Sequence, residues 1–139
     1  MRAAWNSYRQ VATQTAAPGQ LVLMLLEGAI RFLDKAEHGF GLEDPAESNE
    51  TIHNNIQRTV DIVRELNMSL DMQNGGELAR TLRSLYAYMD RRLNESNLRK
   101  SLDGLKETRT LLNTLRGAWA EMLQGGGPNR PGSTAALAA

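Results

Sequence analysis

Residues 75–97, GGELARTLRSLYAYMDRRLNESN, decide which fold this chain can adopt. The two glycines tolerate backbone conformations that other residues avoid, so the pair predicts the end of one helix and a change of chain direction. Glu77 follows in the first turn of the next helix, where its charge favours the positive end of the helix dipole. Apolar residues then recur every three or four positions: Leu78, Leu82, Leu85 and Met89. This spacing predicts an amphipathic helix with one face against a core.

Three other segments also have helical spacing of apolar residues. Pro18 suits the first turn of a helix, which we predict over about 18–40. Asp44-Pro45 predicts the start of a second helix over about 44–72. After a turn near 97–101, a heptad-like pattern predicts a last helix that ends at about Leu123. Four such helices with short connections, and no strand-like alternation, predict an all-α fold: an antiparallel up-down four-helix bundle.

The chain divides into three regions by composition. At 139 residues it has the length of one domain and can bury a core without a metal or a disulfide. We predict that residues 1–17 form a mobile N-terminal arm and that residues 18–124 form the bundle. Residues 125–139 are rich in glycine, proline and alanine and have no apolar stripe, so we predict a disordered C-terminal tail.

Composition excludes several classes of partner. Sixteen basic residues balance sixteen acidic ones, so there is no basic field to bind nucleic acid or an anionic membrane. The apolar run from Leu21 to Leu26 is too short for a membrane span or a signal-peptide core. There is no cysteine, which excludes disulfides and is compatible with a reducing compartment. We therefore expect a cytoplasmic protein with no membrane anchor and no nucleic-acid partner.

No motif predicts an enzyme, a cofactor or a metal centre. Glu50 and His53 match one E-x-x-H step of the di-metal helical bundles, but such a site needs two of these motifs. The other histidine, His38, is not part of a second one, so Glu50 and His53 are better explained as a solvated pair. The chain has no G-x-S-x-G elbow and no glycine-rich phosphate loop with lysine.

The predicted first helix has more apolar surface than one core-facing stripe requires. It is apolar almost all round between Leu21 and Ile30, whereas a bundle helix needs an apolar arc of roughly 100°. Three coverings are possible: the N-terminal arm through Trp5 and Tyr8, a second copy of the chain, or a partner segment laid into a groove.

The ordered string at 75–97 resembles the flagellin export chaperones of the FliS family. Members carry a GGE turn, then a helix of the form L-Y-x-Y-M-x-R-R-L, then A/S-N. The resemblance extends over about 8–122, with Tyr8 and Gln10 similar to an N-terminal Y-x-Q. The helix-1 pattern is matched by Ala17-Pro18, Leu21, Met24-Leu25 and Gly28-Ala29. In one departure, Leu26 stands where the family usually has an aromatic residue.

The resemblance implies a non-enzymatic function. It implies a cytosolic chaperone that binds the disordered C-terminal segment of flagellin, prevents premature polymerisation and delivers it to the flagellar type III export apparatus. An alternative is a flagellar regulatory adaptor that binds an anti-sigma factor or another export protein. We expect the partner to enter grooves on helix 1 and on the neighbouring helices. The predicted partner-binding residues are Tyr8, Leu21, Val22, Leu25, Leu26, Leu85, Tyr86 and Met89.

Other residues have simpler structural explanations. Trp119 is predicted to fix helix 4 to the core. Arg91 and Arg92 are predicted to be solvated, although one guanidinium could pair with a carboxylate on another helix. Four methionines are predicted to fill gaps in the packing rather than to form an adaptable binding face: Met24, Met68, Met72 and Met89.

Overall fold

The structure is a computed structural model that describes residues 18–125. Its helices are α1 (Pro18–Gly39), α2 (Pro45–Met68), α3 (Gly76–Arg99) and α4 (Leu102–Gln124). Within this range there is no strand, so the all-α prediction is confirmed. The predicted arm and residues 126–139 of the predicted tail lie outside the described residues.

The second helix ends earlier than predicted because a polar turn follows it. The Asp71 carboxylate accepts hydrogen bonds from the backbone N–H groups of Gln73 and Asn74, at 3.2 and 3.0 Å. These bonds hold the pKa of Asp71 below its ordinary value, chiefly through Asn74. Gly76 has φ of +57°, so one glycine of the predicted pair takes the left-handed conformation as α3 begins.

The four helices form a closed ring. Each helix packs against its neighbours in sequence, and α1 also packs against α4. Because the connections are short, adjacent helices are antiparallel and α1 lies diagonally opposite α3. The core contains side chains with no exposed surface from all four helices: Leu26, Leu33, Ile56, Val60, Met89, Leu93, Leu105 and Leu112. Trp119 is also buried in this core, as predicted.

Side-chain caps set the starts of α2 and α4. Asp44 accepts a hydrogen bond of 2.9 Å from the Glu47 backbone N–H, and Pro45 occupies the first turn of α2. Ser101 caps α4 through the Asp103 backbone N–H at 3.3 Å. Between α3 and α4 the chain turns within two residues, and Lys100 takes a left-handed conformation with φ of 51°.

The bundle has two chemically different ends. The polar end holds the α3–α4 turn, the last turns of α1 and the first turns of α2. The apolar end, opposite it, holds the starts of α1 and α3 and the last turns of α2 and α4. Arg109 bonds Asp34 at 2.9 Å and also Glu37, which joins α4 to α1 towards the polar end.

Two more polar contacts join helices at this end. Ser48 donates to the Gly39 carbonyl at 2.7 Å, which connects α2 to α1. The His53 Nδ1 and the Asn97 Nδ2 lie 2.9 Å apart and connect α2 to α3. The expected pairing of His53 with Glu50 is therefore replaced by a contact between helices. A further ion pair, Arg64 to Asp90 at 2.7 Å, joins α2 and α3 nearer mid-height.

Glu107 is the centre of the α3–α4 contact. Its carboxylate accepts hydrogen bonds from the Tyr88 hydroxyl at 2.6 Å and from the Arg92 Nε at 2.9 Å. Arg91 is exposed, as expected, and its guanidinium lies over the Tyr88 ring. For Arg92 the alternative is found, a pairing with a carboxylate on another helix. The Tyr88 hydrogen bond, followed by that of Arg92, lowers the pKa of Glu107 below its ordinary value.

Gly104 permits α3 and α4 to approach closely. A Cβ at this position would lie 2.9 Å from the Arg92 carbonyl oxygen and would also collide with the Ser96 hydroxyl. A backbone carbonyl cannot rotate away as a long side chain can, so any larger residue must move a helix. Gly117, in the same helix, has no heavy atom within 4 Å of such a Cβ.

We predict that Gly104→Ala lowers the free energy of unfolding by about 1–3 kcal/mol because it overpacks this crossing. Gly117→Ala is the matched control, since it makes the same chemical change in open space. It should raise the free energy of unfolding by about 0.5–1 kcal/mol through helix propensity alone. Urea unfolding measures both. A Gly104→Ala variant as stable as Gly117→Ala would contradict the close crossing.

We predict that Tyr88→Phe raises the pKa of the Glu107 carboxyl towards the ordinary glutamate value of about 4.3. The folded-state pKa is the lowered one, so this group stabilises the fold above the unfolded-state pKa. That contribution is lost as the pH falls through the lowered value. Carboxyl NMR titration of the two proteins measures the pKa directly. An unchanged Glu107 pKa in the variant would show that the Tyr88 hydroxyl does not cause the shift.

Candidate binding surface

Half-buried apolar side chains are found on α1, α3 and α4 at the apolar end. They pack against the core with one side and keep the other side partly accessible. In α1 these residues include Leu21 and Leu23, and Leu70 lies in the connection that follows α2. Water contact on such side chains is unfavourable by roughly 25 cal/mol per Å². This end of the bundle can therefore gain free energy from a covering segment.

One continuous apolar strip lies between α3 and α4. The close approach of Gly104 to Ser96 sets the antiparallel register of the two helices. Counting from it places Leu85 level with Leu115 and Leu78 level with Met122, and Leu111 lies one turn from Leu115. All five side chains are half-buried and pack on the core. We call this strip the α3–α4 seam, defined by Leu78, Leu85, Leu111, Leu115 and Met122.

The start of α1 lies beside the end of α4. A Cβ at Gly19 would lie 2.9 Å from Leu123 Cδ2 and 3.8 Å from Trp119 Cζ3, so the two helices are in close contact here. Leu21 follows within the first turn of α1 and is half-buried. The start of α1 and the α3–α4 seam therefore belong to the same end of the bundle.

The predicted site residues separate into two groups. Leu21, Val22, Leu25 and Leu26 lie on α1, and Leu85, Tyr86 and Met89 lie on α3. Because α1 and α3 are diagonal in the ring, these residues do not form one groove between two neighbouring helices. Tyr8 lies outside the described residues.

The same residues differ in how much surface they present. Leu21 and Leu85 are half-buried, and both are accessible to a partner. Val22 and Leu25 are only 7% and 5% exposed. Leu26 and Met89 are fully buried, so in this structure they support the surface from beneath.

Tyr86 is part of the core rather than of the surface. It is 2% exposed, and burial raises the pKa of its hydroxyl to about 12. The hydroxyl is neutral at physiological pH, and the residue belongs to the hydrophobic core cluster that also contains Leu82 and Leu93. Tyr86 is one of the predicted partner-binding residues, but in this structure it has almost no accessible surface.

The sequence interpretation did not identify the α4 half of the seam. The heptad-like pattern of the last helix does not separate Leu112 and Trp119, which the structure buries, from Leu115 and Met122, which are half-buried. The signal was present in the adjacent pair Leu111-Leu112. Two neighbouring leucines cannot both face the centre of a bundle, so one of them must lie at its margin.

Residues 18–125 contain neither a group of metal ligands nor a membrane-spanning helix. No three His, Cys, Asp or Glu side chains in this range are grouped so that they could hold a metal ion. None of the four helices combines the length and the apolar character needed to cross a membrane.

Comparison with known proteins identifies the family. The model of the family described as "Flagellar protein FliS" matches residues 1–126. This chain belongs to the FliS family. It is 31% identical over 129 residues to the flagellar secretion chaperone FliS of Bacillus subtilis, covering 93% of this chain and 92% of that protein. It is 33% identical over 122 residues to the Salmonella typhimurium protein of the same name, covering 84% and 87% of the two chains.

A third relative extends the comparison. The flagellar secretion chaperone FliSB of Pseudomonas aeruginosa is 31% identical over 120 residues, covering 84% of this chain and 92% of that protein. These matches span the bundle from end to end, so the α3–α4 seam and the α1 surface both lie within the part that FliS proteins share. The family is one of flagellar secretion chaperones, which agrees with a site made of apolar surface.

Proposed function

We propose that this FliS-family protein is a cytoplasmic export chaperone for flagellin. It binds the disordered C-terminal segment of flagellin, prevents premature polymerisation and delivers the subunit to the flagellar type III export apparatus. The observation that carries this proposal is the half-buried apolar surface formed by the α3–α4 seam and the start of α1 in a chain that belongs to the FliS family. The chaperone names of its relatives support the same role.

The partner contributes apolar side chains and the bundle contributes the surface that they cover. Leu85 and the other seam residues form one contact area, and Leu21 with Val22 and Leu25 forms the other. Leu26, Tyr86 and Met89 are buried beneath these contact areas and support them by packing. Tyr8, in the arm, completes the proposed set. A segment that reaches both areas must extend around the bundle, since α1 and α3 are diagonal.

This mode of binding favours release of the flagellin segment. A disordered segment that folds on binding loses conformational entropy, which offsets several kcal/mol of the gain from apolar burial. The complex is therefore weaker per unit of buried area than one between two preformed surfaces. A chaperone must transfer its partner to the export apparatus. Moderate affinity suits this role, because the partner is shielded from polymerisation but can still dissociate.

Calorimetry with a peptide of about forty residues from the C-terminus of the host's flagellin tests the proposal, since coupled folding on an apolar surface gives a negative heat-capacity change. We expect saturable one-to-one binding, accompanied by new helicity in circular dichroism. No binding by a folded sample would contradict the flagellin role. A pull-down of other flagellar proteins would then test the adaptor alternative.

We predict that Leu85→Glu and Leu21→Glu each weaken binding of this peptide by at least about tenfold, because each places a charge within the covered surface. Both residues are half-buried, so the fold tolerates the change better than at Val22 or Leu25. Leu98→Glu is the matched control. Leu98 is 85% exposed at the polar end, and its substitution should leave affinity unchanged.

Thermal unfolding of each variant verifies that the bundle is intact before its affinity is compared. Equal losses for Leu98→Glu and Leu85→Glu would contradict the assignment of the binding surface to the apolar end. Unchanged affinity in both Leu85→Glu and Leu21→Glu would do so as well.

A further inference from the structure

Isolated apolar side chains do not mark a further site on this protein. Met68 and Leu98 are the exposed large apolar residues among residues 18–125, at 80% and 85% exposure. Met68 therefore does not fill a gap in the packing, contrary to the prediction from the sequence. The two residues lie at opposite ends of the bundle, and single exposed apolar residues are common on soluble proteins. A charged cluster nearer mid-height is more informative.

Two cations lie over one aromatic ring on the α1–α2 face of the bundle. The Lys35 Nζ is 5.6 Å from the centroid of the Phe32 ring, and the Arg58 Cζ is 5.4 Å from the same centroid. Lys35 belongs to α1 and Arg58 to α2, so the ring is contacted from both helices. Phe32 itself is half-buried and packs on the core. We call Phe32, Lys35 and Arg58 the Phe32 cluster.

The Phe32 cluster is remote from the α3–α4 seam. A Cβ at Gly39 would lie 3.0 Å from side-chain atoms of both Thr51 and Ile52, which sets the register of α1 and α2. Counting from this contact places Phe32 level with Arg58. In the ring of helices, the α1–α2 edge is opposite the α3–α4 edge. A partner bound at the Phe32 cluster therefore leaves the seam accessible.

No carboxylate among residues 18–125 is paired with either cation of the cluster. Asp34 is next to Lys35 in the sequence, but it is paired with an arginine of α4. Asp61 lies one turn after Arg58 and forms no ion pair with it. The two cations are no farther apart than the sum of their distances to the ring centroid, so they repel each other. An anion that contacts both would offset this repulsion.

Arg58 also has hydrogen-bonding capacity that the described residues do not use. Its Nε atom is buried and has no hydrogen-bond partner. A guanidinium that stacks on an aromatic ring is preorganised to bind a carboxylate through two N–H groups. Arg64, on the same helix, shows this geometry, since its Nε and Nη2 donate to the two carboxylate oxygens of Asp90 at 2.7 and 3.2 Å. A carboxylate that draws the Arg58 guanidinium outwards would also satisfy its Nε.

The charge of the Phe32 cluster indicates which kind of partner fits it. Residues 1–17 and 126–139 contain no aspartate or glutamate, so neither segment has an acidic side chain for the two cations. Two cations are also few for nucleic acid, which proteins bind through larger sets of phosphate contacts, and the chain has no net charge. An acidic peptide fits better, because its carboxylates match Lys35 and Arg58 and its apolar groups can cover the accessible side of Phe32.

We propose that the Phe32 cluster is a second interaction surface, which binds an acidic segment of another protein. One carboxylate of that segment binds the Arg58 guanidinium through two N–H groups, and a neighbouring carboxylate pairs with Lys35. This surface is separate from the one proposed for flagellin, so the chaperone can contact a second protein while its cargo is bound.

Fluorescence anisotropy with the full chain and a labelled peptide of about ten glutamates tests the proposal. We expect saturable binding that weakens as the salt concentration rises, because salt screens exposed charges. A peptide of the same length made of glutamine is the matched control for the probe. It has the same backbone and nearly the same side-chain size without the charge, so it should not bind.

Matched variants assign the binding to the cluster. Arg58→Gln should weaken binding of the glutamate peptide by about tenfold, and Lys35→Gln by about threefold, since lysine offers a single exposed charge. Arg83→Gln makes the same chemical change at an exposed arginine of α3 and should leave affinity unchanged. Lys35 is exposed, so its variant tests the cluster without disturbing the packing. Thermal unfolding verifies that all three variants are folded.

Four results would overturn the inference. One is equal affinity for the glutamate and glutamine peptides, including no binding of either. Another is unchanged affinity for the glutamate peptide in folded Arg58→Gln and Lys35→Gln. Tighter binding of a deoxythymidine oligomer of the same length would indicate a nucleic-acid site instead. Self-association of the wild type in analytical ultracentrifugation, lost in Arg58→Gln, would show that a second copy of the chain occupies the cluster.

Discussion

The close crossing of α3 and α4 at Gly104 is the constraint on which the rest of the structure depends. The two-residue turn and the left-handed Lys100 bring the helices together, and the absent side chain at Gly104 lets the α4 backbone approach the Arg92 carbonyl. Tyr88, Arg92 and Glu107 can then meet across the interface. The approach of Gly104 to Ser96 sets the register of the two helices, and this register places Leu85 level with Leu115 and Leu78 level with Met122.

The polar and apolar ends have different energetic roles. Exposed ion pairs contribute only about 0–1 kcal/mol each to the free energy of unfolding. The ion pairs of the polar end therefore orient the helices more than they stabilise the fold. Arg109, Ser48 and Asn97 each connect two helices there. At the apolar end stability comes from buried leucines and Trp119, while the half-buried residues around them retain unfavourable contact with water. A partner that covers these half-buried residues would remove that unfavourable contact.

Much of the fold could be predicted from the sequence, because helix starts have local signals. Pro18, Asp44-Pro45 and Gly75-Gly76 mark three of the four helix starts, and the structure begins helices at Pro18, Pro45 and Gly76. The family was also predictable, since an ordered string of side chains is more specific than periodicity. The end of α2 was placed too late because Leu70 and Met72 continue the apolar pattern, while the turn made by Asp71 ends the helix.

The candidate binding surface was less predictable, for a physical reason. Spacing along a helix shows which residues share a face, but not which partner helix covers that face. Leu26 and Met89 have the apolar character of a binding site, yet neighbouring helices bury them completely. Leu115 and Met122 look like core residues, yet they lie at the margin of the α3–α4 interface. Only the register between helices, which depends on tertiary contacts such as Tyr88 with Glu107, separates these cases.

The central claim is that the apolar end receives the partner while the contacts of the polar end orient the helices. Hydrogen exchange of backbone amides, measured with and without the C-terminal segment of flagellin, tests it most directly, since added protection reports where a partner covers or stabilises the chain. The account predicts added protection in the first turns of α1 and α3 and in the last turns of α4, with little change around the α3–α4 turn. Added protection concentrated around Asn97, Lys100 and Gly104 would contradict it.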